Sequence, residues 1–405
     1  MKYSQHAIIR KKNNYVILGN TNTGKWIRIS QKLYNIFEKF LYLNNSQKEI
    51  DFKEIEKLIQ TLTDLEVITD YDNNPEEKLR SVTFSITNRC NLQCMHCGYS
   101  ADPNNEYELS KESIITVISK LKDVDVFAIT GGEPMFHRNF PSIAEYIGKN
   151  VSGKKMLMTN ATLITENNVD LVINNFDGVA ISLDAASEST CDKMRGIGVF
   201  QKVISSIKIL QKKNFRDISL SFTETALNRH ETEQFINLCK ELETEPAIRN
   251  FLSVGRGYAN RDQLVLNNIE SHHPGNHLST KEISEYRKRL VMTTRCGAGI
   301  DRLYIQFNGD IYPCPVSGIN EKMRMGNINN IDDFHKFMSK KDELEGYQYY
   351  TDISLKKIGK CSKCDVKDFC WRCIQEYYSI FPDGKEESKE CIDRWKFLNS
   401  IVWGD

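Results

Sequence analysis

The stretch at residues 90–100, CNLQCMHCGYS, places Cys90, Cys94 and Cys97 in a C-x3-C-x2-C spacing, and no further cysteine follows until Cys191. A closed structural zinc site takes four protein ligands, and here three are close at hand. His96 lies between two of the cysteines and is poorly placed to reach the same ion. Two readings stay open on these residues alone. One is a zinc site completed by water or His96; the other is a 4Fe–4S cube with three irons held and the fourth free to take a ligand.

The flanking sequence says where this loop sits. Apolar, strand-like runs occur at 81–87, 125–130, 155–160, 178–183, 218–223 and 247–254, with amphipathic segments between them. In the first of these segments Ile114, Val117, Ile118 and Leu121 share one helical face behind Ser110, a good N-cap. Six such repeats predict an α/β architecture, a parallel sheet covered by helices, with its chemistry at the carboxyl ends of the strands. The cysteines follow the first strand, TGGEP (130–134) the second and TNAT (159–162) the third, so all three belong to one rim.

The cysteine triplet, followed one strand later by Gly131-Gly132-Glu133-Pro134, resembles the paired signature of the radical SAM superfamily. The resemblance implies a partial (β/α)6 TIM barrel and a 4Fe–4S cluster on Cys90, Cys94 and Cys97. S-adenosylmethionine would chelate the open iron, its amino group bound by the Gly-Gly-Glu backbone. Cleavage would give a 5′-deoxyadenosyl radical that abstracts hydrogen from a substrate. By position in that family, Asn160, Ser182 and Asp184 are expected near the ribose or methionine moiety, with Arg195 a further cofactor-binding residue on the same rim.

Seven further cysteines lie between Cys296 and Cys391, and here the chain resembles the SPASM extension of radical SAM enzymes. That resemblance implies two auxiliary 4Fe–4S clusters, three in all. One would be held by Cys361, Cys364, Cys370 and Cys391, the other by Cys296, Cys314 and Cys373 with a fourth ligand unidentified. The two residues before Cys373, Trp371 and Arg372, are one fewer than the family usually carries. Zinc ribbons are the alternative for this spacing. Asn308-Gly309, between two alternating runs, predicts a hairpin that returns Cys314 toward Cys296. Cys191 reads either as a hydrogen-atom donor near the rim or as a small core residue, and Cys239 as core.

Residues 1–79 form a third segment. Two β-type runs around a polar turn precede helices carrying Leu33, Ile36, Phe37, Phe40 and then Ile55, Leu58, Ile59, Leu62 on their faces. The segment resembles the winged-helix-like α+β recognition elements that bind the leader of a precursor peptide by strand addition. Residues 19–26, GNTNTGKW, imitate a phosphate-binding loop, but Trp26 replaces the metal-binding hydroxyl and a strand is expected to follow.

The expected division is thus 1–79 leader binding, 80–290 radical SAM barrel and 291–405 auxiliary clusters. Lys+Arg and Asp+Glu both number 54, so no net field draws the chain to nucleic acid or to an anionic membrane. No apolar run approaches the ~20 residues of a membrane helix, no signal peptide is evident at the N-terminus, and a cytoplasmic location is expected. Joined together, these readings predict a maturase of ribosomally made peptides that forms a thioether or carbon–carbon crosslink, reduced by a flavodoxin- or ferredoxin-type donor. The alternatives are a sulfatase-maturating enzyme, a peptide epimerase and a non-catalytic multi-zinc protein.

Overall fold

The computed structural model describes residues 1–42, 52–70, 78–121, 123–265, 279–292, 296–353, 359–370, 373 and 389–404. Trp371 and Arg372 lie outside the described residues. Two compact units form: Met1–Glu76 with Ile269–Cys296 and Ile353–Asp405, and Glu77–Asn268 with Gly297–Asp352. The N-terminal segment and much of the C-terminal one therefore share a unit.

In that first unit β1 (Lys2–Tyr3) pairs with β5 (Ile68–Thr69), and β2 (Ala7–Lys12), β3 (Tyr15–Asn20) and β4 (Trp26–Ser30) make an antiparallel meander. Asn13, at φ 52°, takes the left-handed turn position between β2 and β3 that a two-residue hairpin demands. The imitation phosphate loop is a turn in which the Asn20 side chain accepts from the N–H groups of Asn22 and Thr23. Strand β4 follows it, where nucleotide binding needs a helix.

Alternation along β3 gives this sheet two buried faces. Val16 and Leu18 pack with Phe37 of the helix Gln31–Tyr42 and with Ile55, Leu58 and Leu62 of the helix Phe52–Asp64. Ile17 points the other way, into a core with Met292, Val366, Phe369, Leu398, Val402 and Trp403, rimmed by Tyr15 and Trp26. Hydrophobic residues from both ends of the chain are thus removed from water together.

The second unit is built on six parallel strands, each hydrogen-bonded to the next: β6 (Ser81–Ser85), β7 (Val126–Thr130), β8 (Lys154–Thr159), β9 (Gly178–Ser182), β10 (Ile218–Glu224) and β11 (Glu245–Asn250). Their register aligns Phe84, Ile129, Leu157, Val179 and Ile218 in one buried layer. Helices cross between the strands as the periodicity predicts, and Ser110 Oγ accepts from Ser113 N at the start of Lys111–Leu121. The sheet continues past β6. β12 (Arg302–Ile305) joins it in parallel, and β13 (Asp310–Tyr312) and β14 (Gly326–Asn327) follow antiparallel. Gly309, at φ 84°, turns the expected hairpin between β12 and β13. Among the described residues no helix is long and apolar enough to cross a membrane.

One carboxylate fixes the helix Glu188–Arg195, which delivers Arg195 to the rim. Glu231 accepts from the N–H groups of Ala186 and Ser187 and from the hydroxyls of Ser187 and Thr190. Burial works against its charge, but the four donors prevail and hold its pKa below the ordinary value. A depressed carboxylate stabilises the fold above its unfolded pKa, and that stability is lost as pH falls through the folded value. Glu231→Gln is expected to cost about 1.5–3 kcal/mol at pH 7. In urea unfolding of the full chain its deficit against wild type should shrink steadily below about pH 4.

Candidate functional site

The loop after β6 has little regular structure and is held by its neighbours. Gly132 N donates to Thr87 O and Glu133 N to Arg89 O, both at 2.8 Å, tying the end of β7 to the loop. This approach needs glycine: a Cβ on Gly131 would lie 2.6 Å from Thr87 O, and one on Gly132 2.3 Å from Arg89 O. Pro134 opens a short 3₁₀ turn behind them. Glu133 is fully buried and accepts from Thr159 Oγ1, Asn160 N and Met135 N, so it joins the ends of β7 and β8. Burial pushes its carboxyl up to about 7 against those three donors.

Cys90, Cys94 and Cys97 line one cavity of about 190 Å³ with Thr130, Gly131, Gly132, Asn160, Ser182 and Arg195. Burial pushes the Cys90 thiol up to about 12 and raises that of Cys94, where Arg195 opposes it. Thiols desolvated in this way ionise readily only beside a cationic centre, which a metal cluster provides. The donor set fits such a group: three cysteines line the cavity together with polar groups and glycine backbone. Among the described residues no three His, Cys, Asp or Glu side chains close in as the ligands of a single ion would.

Other expected residues take different places. The Asn160 amide donates to Asn91 Oδ1 and, at 3.7 Å, to Cys90 Sγ, while its oxygen accepts from the Thr162 N–H and hydroxyl. It binds β8 to the cysteine loop. Asp184 does not line the cavity; it stands behind the wall, at φ 62° and fully buried. Its carboxylate pairs with Arg195 (Nε at 2.6 Å, and Nη2), with His96 Nε2 at 2.9 Å, and accepts from Thr223 N. Burial alone would raise its pKa, but Arg195 and His96 outweigh that and hold it well below the carboxylate range. Arg195 in turn reaches Cys94 Sγ at 3.8 Å. Cys191 is fully buried, with its thiol on Leu183 O, and is not among the cavity's lining residues; Cys239 is buried in the same core.

Sequence reading missed a brace that follows β11. Arg256 donates to Cys94 O (3.0 Å) and Ala101 O (2.7 Å), its backbone N–H to Cys97 O, and the Asn260 amide to Met95 O. Gly255, at φ 55°, admits this contact, since a Cβ there would lie 2.2 Å from Gly98 O. The only visible signal was the Gly-Arg-Gly run, Gly255 to Gly257. Arg256→Gln should remove two charge-assisted hydrogen bonds and raise amide hydrogen exchange across 94–101 by about tenfold or more. Exchange within β7 to β9 should stay unchanged.

Of the C-terminal cysteines, Cys361, Cys364, Cys370, Cys373, Cys391 and Cys296 belong to the first unit and Cys314 to the second. Burial raises the Cys364 thiol, with Asp365, Cys370 and Cys391 close enough to add to it. Among the described residues the cysteines form no disulfide.

Residues 84–242 match the radical SAM superfamily and residues 296–365 the SPASM iron–sulfur cluster-binding domain. Mycofactocin maturase MftC of Mycolicibacterium smegmatis is 25% identical over 335 residues, 78% of this chain and 83% of that protein. A probable GTP 3′,8-cyclase of Saccharolobus islandicus is 30% identical over 166 residues, 40% of this chain and 54% of its own length. Among solved structures, Streptococcus suis SuiB bound to S-adenosylmethionine superposes with a TM-score of 0.54 at 16% identity, covering 91% of this chain and 94% of SuiB. Native anSMEcpe with bound AdoMet gives 0.55 at 18% identity, covering 79% and 96%. At such identities these superpositions speak to the fold, and that fold is a partial barrel with its cysteine triplet at the carboxyl rim. The chain thus carries a radical SAM domain over residues 84–242 and a SPASM iron–sulfur cluster-binding domain over residues 296–365.

Proposed function

We propose that this chain matures a ribosomally made precursor peptide by radical chemistry, closing a thioether or carbon–carbon crosslink. The observation that carries the reading is the shared cavity of Cys90, Cys94 and Cys97 with the Gly131–Gly132 backbone and Arg195 at the strand ends. Similarity to a maturase over most of both chains supports it, as does the fold shared with SuiB, which has been solved bound to its precursor peptide SuiA. Bound there, a 4Fe–4S cluster and S-adenosylmethionine supply a 5′-deoxyadenosyl radical for hydrogen abstraction, and auxiliary clusters an acceptor for the electron left when the new bond closes.

The protein's own residues position and shield. Cys90, Cys94 and Cys97 hold the cluster. With the N–H groups of Gly132 and Glu133 spent on the loop, the amino group of the cofactor, a donor, is left to the carbonyl oxygens of that turn. Arg195 and Ser182 face the methionine or ribose end. Asp184 and Asn160 act behind them, fixing Arg195, His96 and Asn91. Two auxiliary clusters, on Cys361, Cys364, Cys370 and Cys391 and on Cys296, Cys314 and Cys373, bring the total to three. Residues 1–79 dock the leader, 80–290 carry the radical site and 291–405 the auxiliary clusters, with a flavodoxin or ferredoxin supplying electrons. Epimerisation through Cys191 finds no support in a thiol buried in the core and bonded to Leu183 O.

Two outcomes test this reading. Alanine at Cys90, Cys94 and Cys97 together should abolish both the S-adenosylmethionine-sensitive paramagnetic signal of the reduced protein and 5′-deoxyadenosine release. Retention of either would sink the cofactor assignment. With a precursor peptide that the enzyme modifies, removal of the leader should raise KM tenfold or more while kcat changes little. Equal KM for leaderless and full precursor would remove residues 1–79 from peptide docking.

A further inference from the structure

Strand β2 turns Ile8, Arg10 and Lys12 to the face of the N-terminal sheet that packs on the C-terminal cysteine region. Arg10 grips Asp368 with two nitrogens, Nε to Oδ2 at 2.7 Å and Nη2 to Oδ1 at 3.3 Å, and Asp368 is 7% exposed. Lys12 pairs with Asp365 and donates to Asn399 Oδ1 at 2.6 Å. Asp365 is held further by the Trp395 indole on its carboxylate and the Trp403 indole on its carbonyl. Beside the pairs, Trp26 meets Phe369 edge-on at 4.7 Å.

Both aspartates lie in the short run between Cys364 and Cys370, whose sulfurs pack at the rim of the same core. Asp365 directly follows one proposed ligand and Asp368 stands two residues before another. A cluster held by thiolates is itself anionic, so two uncompensated carboxylates in its bounding loop would oppose its reduction. Net charge around the cluster is one of the terms that set its potential. The compensating cations come from the other end of the chain.

We propose that Arg10 and Lys12 are outer components of the auxiliary centre at Cys361, Cys364, Cys370 and Cys391. By neutralising Asp368 and Asp365 they raise its reduction potential, which makes the N-terminal sheet a wall of the electron acceptor as well as a peptide platform. The inference rests on the auxiliary-cluster reading above.

The test is a redox titration followed by electron paramagnetic resonance. It uses the anaerobically reconstituted full-length chain with alanine at Cys90, Cys94, Cys97 and Cys314, which isolates this centre. At one fixed applied potential, Arg10→Gln and Lys12→Gln should each lower the reduced-to-oxidised ratio at least threefold. Asp368→Asn and Asp365→Asn should raise it, and the pair Arg10→Gln with Asp368→Asn should return it toward the parent. A tenfold change in ratio corresponds to 59 mV for one electron. Opposite signs are what a purely structural role cannot give. Equal loss of iron in all four single variants, or a ratio unmoved in every one, overturns the proposal. A parent chain that binds no iron at all sinks the auxiliary-cluster reading and this inference with it, an outcome told apart by iron analysis alone.

Discussion

Asp184, two residues past the end of β9, takes a left-handed backbone conformation with its carboxylate out of water, between Arg195 and His96. Taking such charges out of water costs several kcal/mol per ion, and the cost is met only when the remaining hydrogen-bonding capacity is satisfied as well. For Asp184 it is: Thr223 N donates to the second oxygen, and the Asn228 amide donates to the backbone carbonyl of the same residue. Breaking such a group by removing one partner typically costs about 3–5 kcal/mol. Through Arg195 it reaches Cys94, and through His96 it reaches the middle of the cysteine loop. The geometry that joins Asp184 to Arg195 and His96 is also the geometry that presents the sulfurs to the cavity. Asp184 shapes the site without lining it.

The loop is held both by its own bonds, such as Cys90 N to Asp102 O and the Asn105 amide to Asn88 O, and by donors from outside it. Its carbonyls at Thr87, Arg89, Cys94, Met95, Cys97 and Ala101 are taken by donors from the end of β7 and from residues 256–260, and Met95 N donates to Met194 O beside Arg195. Most of these contacts engage loop backbone rather than loop side chains. Part of the entropy cost of ordering the loop is therefore met by hydrogen bonds to the folded barrel.

What the sequence made legible follows from what is local in it. Strand periodicity located all six barrel strands to within a few residues, because each strand's burial pattern is written in its own side chains. Spacing located the cysteines and the Gly-Gly-Glu turn for the same reason. Arg256 was invisible, since its partners Cys94 and Ala101 lie more than 150 residues away and a donor to backbone carbonyls leaves no mark on the acceptor's sequence. Asp184 was found but set in the wrong layer: motif position identifies a neighbourhood, whereas the direction of a side chain depends on a φ of 62° that no pattern announces. Cys191, left open between donor and core, is bonded to Leu183 O inside the hydrophobic cluster.

The N-terminal sheet poses the same problem on a larger scale. Val16, Ile17 and Leu18 read as an apolar run, and alternation alone requires two apolar partners for it. The helices that follow supply one. The second could be read only by knowing that Met292, Val366, Phe369 and Val402 return to this place. A self-contained cap would have carried polar residues on the Ile17 face. Ile8, Tyr15 and Trp26 surround Ile17 instead, and the two cations on that face meet aspartates from beyond residue 360. Removing residues 1–79 would therefore strip one wall from the C-terminal cysteine region along with the strands proposed to dock peptide, so a truncation cannot separate the two roles. Substitutions that leave Ile17 and Trp26 in place can.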